Sequence, residues 1–99
     1  MDSIDKLELL EADNSLTLYG EFKEALRVFK YHVDTDLRTY LANDVAVETV
    51  AAGESFYFKV TLTDAWVYEA ARSQRFVPEV VLYEVTPVHI QRLREDDDR

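Results

Sequence analysis

The chain has 99 residues, with 20 acids against 11 bases for a formal net charge of −9, and 47% of it is hydrophobic. That apolar content sustains a packed core and excludes a disordered acidic chain, while no run approaches the roughly 20 uncharged apolar residues of a membrane span. The acidic balance argues against direct nucleic-acid binding, and a chain without cysteine has no disulfides, zinc knuckles or thiol chemistry.

In chain order, Lys6 to Glu11 reads as a short strand or a helical turn, and Asp13-Asn14-Ser15 as a turn. Leu16-Thr17-Leu18-Tyr19 alternates and ends at Gly20, which predicts a short strand. Over 21–42, Phe22, Ala25, Leu26, Phe29, Val33, Leu37, Tyr40 and Leu41 recur at three- and four-residue steps, so a helix is predicted, with a break near Asp34. The alternation Phe29-Lys30-Tyr31-His32-Val33-Asp34 supports the other reading, a strand over 26–34.

Asn43-Asp44 is expected to turn the chain, and 45–50 to form a strand. Ser55 to Leu62 gives the clearest strand, with Phe56, Phe58, Val60 and Leu62 on a core face and Tyr57, Lys59, Thr61 and Thr63 on a half-polar one. It joins 45–50 in a hairpin at Gly53. Asp64 is expected to cap a short helix over 65–73; alternatively the strand runs on through Trp66 and Tyr68, with a bend near Asp64. Arg72 to Arg75 forms a basic turn, Pro78 marks a strand start or an edge, and 79–85 is a second strong strand. Thr86-Pro87 is a helix-start signal and predicts a helix over 87–94.

The fold class expected is α+β: a small, mainly antiparallel sheet packed by the 21–42 helical segment, with an all-β sandwich as the alternative. The chain reads as one domain over 1–99. Its acid sits at the ends: Asp2, Asp5, Glu8, Glu11, Asp13 and Glu21 stand against Lys6, and Glu95 to Asp98 form a tail expected to be loose, while the body between is nearly neutral.

Candidate chemistry is sparse. His32, Asp34 and Asp36 share a face on a strand, and His32 and Asp36 do on a helix, which is the geometry of metal ligands or of a base with an orienting acid. A solvated face with an ion pair to Arg38 accounts for the same residues. Glu69, Glu79 and Glu84 lie near aromatic residues, and no phosphate-binding loop or nucleophile elbow occurs. Binding residues are sought among the aromatics and their basic neighbours: Tyr57, Lys59, Trp66, Tyr68, Arg72, Arg75 and Tyr83.

The function expected is a non-enzymatic protein-interaction module with an aromatic and acidic surface. It needs no cofactor, binds neither nucleic acid nor membrane, and has an edge suited to pairing with a second copy as a homodimer. No signal peptide is recognised, so a cytoplasmic location is expected. The alternatives are an inhibitor that mimics nucleic-acid phosphates and a small metal-dependent enzyme built on His32, Asp34 and Asp36.

Overall fold

A computed structural model describes residues 3–94, with side chains described over 15–94. One helix, α1 (Ser3–Leu26), precedes five strands: β1 (Tyr31–Asp34), β2 (Thr39–Ala52), β3 (Ser55–Val67), β4 (Phe76–Glu84) and β5 (His89–Arg92). They form one antiparallel sheet in the order β4-β3-β2-β1-β5. The expected α+β class with an antiparallel sheet is therefore present, but the helix lies elsewhere in the chain. No helix among the described residues is long and apolar enough to cross a membrane.

The predicted strand at 16–19 and the turn before it are both part of α1. Of the alternating stretch, only Leu18 is buried, while Leu16 and Tyr19 are exposed. Leu18, Phe22 and Ala25, spaced four and three apart, form the helix face that meets the sheet. The helix stops at Leu26, where the predicted 21–42 helix was to continue, and its C-terminal end is closed from far along the chain. The Arg94 guanidinium donates to the carbonyls of Leu26 and Arg27, which have no helical partner.

Beyond Leu26 the alternating reading prevails. Tyr31 to Asp34 pairs with β2 on one side and β5 on the other, so distant partners decide a segment that fits both periods. Thr35 organises the following turn: its Oγ1 donates to the Arg38 carbonyl and accepts from the Leu37 and Arg38 amides. The predicted turn at Asn43-Asp44 lies inside β2. The predicted helix at 65–73 is replaced at its start by the end of β3, because Ala65, Trp66 and Val67 are buried on both faces. The predicted helix at 87–94 is replaced by β5, where Ile90, with Val88 just before the strand, faces one core and the backbone covers the edge of β1. The hairpin at Gly53 is present: Ala52 pairs with Ser55, and Gly53 takes φ 65° at the first position of a two-residue turn. Pro78 lies on an edge strand, as its missing N–H requires.

One row of the sheet changes which side its residues face. Ala42, Ala65 and Val77 are register partners, as are Asp44, Thr63 and Glu79, while Asn43, Asp64 and Pro78 between them make no ladder pairing. Asp64 is a non-glycine residue with positive φ, 51°, in the left-handed region that aspartate tolerates better than most residues. Ala42, Ala65 and Val77 nevertheless pack in the same apolar cluster as Val45, Leu62 and Val80, three residues away along each strand. Residues three apart on a regular strand point to opposite faces, so the sheet reverses its facing at this row.

Two cores result. The first joins Val33, Tyr40, Val60, Leu62 and Val67, and no described helix side chain enters it. The second lies under α1 and holds Leu18, Ala25, Phe29, Leu41 and the fully buried Trp66. The acidic tail 95–99 and the acids Asp2, Asp5, Glu8, Glu11 and Asp13 lie outside the described side chains. Gly20 sits within α1 with nothing inside 4 Å of where a Cβ would be. Gly20→Ala should therefore raise stability by about 0.5–1 kcal/mol, read as a higher urea midpoint; an unchanged or lower midpoint contradicts the helical placement.

Candidate functional site

Helix α1 covers one end of one sheet face. Further along that face the strand period places Tyr57 and Lys59 of β3 beside Tyr83 of β4, because Lys59 is the register partner of both Tyr83 and Glu48. The Tyr57 and Tyr83 rings meet edge to face at 5.7 Å. Tyr83 is 62% exposed, and Val81, two residues before it on the same face, is also exposed. Glu48, Lys59, Thr61 and Glu79 intersperse charge and hydroxyl among these apolar groups. The reverse face of the same arm exposes Phe56 and Val47.

Three of the seven candidate residues thus gather on one surface. Trp66, Tyr68 and Arg75 go to the helix instead. Trp66 has no exposed surface, and its Nε1–H donates to Glu21 Oε1 at 2.7 Å. Arg75 donates from Nε to the same oxygen at 2.8 Å and from Nη2 to Oε2 at 2.7 Å, a forked pairing. Phe22, one residue on, packs against Trp66, Tyr68 and His32, with ring centroids at 5.7, 5.1 and 5.9 Å. Arg72 stands in the turn before β4 and pairs with Glu69 at 3.9 Å, away from the tyrosines.

Glu21 is the residue that sequence reasoning missed in this role. In the sequence it stands only as one of the acids near the N-terminal end, whereas its partners are 45 and 54 residues away. The Arg75 hydrogen bond holds its carboxyl below the ordinary 4.5, against the opposing effect of burial, and the Trp66 hydrogen bond adds to the lowering.

His32 and Asp34 share a face, with His32 Nδ1 3.6 Å from Asp34 Oδ2, and Asp34 Oδ1 accepts from the Thr39 hydroxyl. Asp36 sits in the exposed turn beyond. The β1–β5 pairing also brings His89 opposite Asp34, a proximity that no sequence signal announced. His32 Nδ1 is buried without a hydrogen bond. Among the described residues, no group of three or more His, Cys, Asp or Glu is placed to hold a metal ion.

Fold and surface together define a small α+β protein in which a helix clamps one end of a five-stranded antiparallel sheet, and no described residue covers the other end of that face. The chain belongs to the family described as "Protein of unknown function (DUF2469)", whose model matches residues 1–99. It is 35% identical over 97 residues to uncharacterized proteins of Mycobacterium bovis and Mycobacterium tuberculosis, a match spanning 98% of this chain and 96% of theirs. No solved structure matches it.

The clamp gives a pH signature. Because the folded-state pKa of Glu21 is depressed, its contribution to stability is complete above the unfolded value and is lost as pH falls through the folded one. Urea unfolding followed by the fluorescence of Trp66, the chain's one tryptophan, should show Glu21→Gln less stable by about 1–3 kcal/mol at neutral pH. Its stability should also depend less steeply on pH than the wild type's below about pH 4.5. Parallel acid profiles for the two proteins would contradict the clamp.

Proposed function

We propose that this protein is a non-enzymatic interaction module that binds a protein partner in the cytoplasm through the uncovered sheet face of Tyr57, Lys59 and Tyr83. The observation that carries the reading is an aromatic pair where the helix layer ends, Tyr83 exposed and Tyr57 half-buried against it, beside a lysine and among scattered acids. Tyrosine presents a large, rigid contact area with a polar tip, so it is enriched where partners dock. Exposed Phe56 and Val47 on the reverse face give the same arm apolar surface on both sides, suited to a partner that grips it.

Neither alternative has an observation of comparable weight. A phosphate mimic needs a continuous acidic array, and the described body mixes acids with nearly as many bases. A metal-dependent enzyme on His32, Asp34 and Asp36 needs converging ligands, and Asp36 lies in the turn beyond the strand.

Replacing Tyr83 by a photo-reactive phenylalanine in the native host should yield one stoichiometric cross-linked protein. The same replacement at Leu37, exposed in the turn between β1 and β2, should not. The doubly substituted Tyr57→Ala, Tyr83→Ala protein should bind that partner at least about tenfold more weakly. If light scattering shows a dimer that this variant dissolves, the partner is a second copy. Undiminished binding by a folded double variant overturns the proposal.

A further inference from the structure

We propose that the concavity between the end of α1 and the row of Asn43, Asp64 and Pro78 receives an arginine side chain of the partner, an inference that rests on the interaction-module reading. It is an open hollow of about 280 Å³, with Asn43 and Asp64 as its polar lining and Phe29 and Phe76 among its apolar walls. That volume has room for one side chain.

Four observations specify the occupant. Among the described residues, Asn43 and Asp64 make no side-chain hydrogen bond or ion pair, so both acceptors are free. They border the same concavity from adjacent strands, at the row where neither pairs in the ladder, so a carboxylate and an amide face one space that a forked guanidinium fits. Phe29 and Phe76 stack with centroids at 6.1 Å, and Phe76 is 53% exposed, which leaves ring surface for a flat cation. Asp44 occupies the next row, without an ion pair among the described residues, and adds negative charge near the concavity.

Arginine meets all four conditions at once. Lysine supplies a compact, strongly hydrated charge that neither presents a planar fork to two acceptors nor stacks flat on the ring, so it fits less well. The left-handed backbone at Asp64 fits the same purpose, because the reversal of facing at this row places its carboxylate at the concavity.

The test uses the full 99-residue chain, ¹⁵N-labelled, titrated with Nα-acetyl-arginine methylamide and with its lysine and citrulline counterparts. Arginine should produce saturable shifts centred on the amides of Asn43, Asp64, Ala65 and Val77. Its Kd should be on the order of millimolar, as befits one side chain removed from its peptide. Lysine should bind at least about fivefold more weakly, and uncharged citrulline should not saturate. Asp64→Asn should weaken arginine binding at least about fivefold, and Asp64→Gly, which accepts φ 51° readily, should do the same in a chain that keeps its dispersed spectrum.

Shifts spread evenly over the acidic residues, citrulline binding equal to arginine, or unchanged affinity in Asp64→Asn would each overturn the proposal. No partner enters this titration, so its failure is separable from a failure of the Tyr83 cross-link.

Discussion

The carboxylate of Glu21 is the constraint on which the arrangement depends. It accepts one hydrogen bond from the indole of a fully buried tryptophan and two from a guanidinium in the loop before β4. A buried indole N–H without an acceptor costs on the order of 1–3 kcal/mol. The helix therefore docks in the one position that brings Glu21 over Trp66. Phe22 follows it into the cluster of Trp66, Tyr68 and His32, and Arg94 closes the helix end from the far terminus of the described chain. Helix position, in turn, decides which part of the sheet face stays open.

The open part was legible in the sequence, because it is built from strand alternation alone. Tyr57 and Lys59 occupy the polar parity of β3, Tyr83 falls beside them through the antiparallel register, and Gly53 supplies the left-handed turn that sets that register. The division of the seven candidate residues was not legible. Trp66 and Tyr68 follow Tyr57 and Lys59 along one stretch of chain, and only Asp64 separates the two sets. The reversal at Asp64 sets Trp66 on the same sheet face as Tyr57 and Lys59, and the reach of α1 along that face leaves the tryptophan covered and Tyr83 exposed.

The helix was hidden for a related reason. Leu16 to Tyr19 alternates like a strand, Gly20 resembles a terminator, and 21–42 carries helical spacing into a region that becomes two strands. Local preference is a weak guide where tertiary partners decide, and β1 is decided by β2 and β5, the latter nearly 60 residues later. His89 shows the same limit: a Thr-Pro pair predicts a helix start, but the open edge of β1 recruits the segment as a strand. What survived unaided was the antiparallel sheet, the hairpin and the edge position of Pro78.

The reversal of facing at Asn43, Asp64 and Pro78 couples three strands. Were one residue deleted from β3 alone at this row, the arm beyond it would slip by one position, turning Phe58, Val60 and Leu62 outward and Tyr57, Lys59 and Thr61 inward, while β2 and β4 kept their old parity. Length changes are thus confined to the loops, and the spacing between the helix-bearing end and the hairpin tip behaves as a fixed ruler: whatever touches both must match its length.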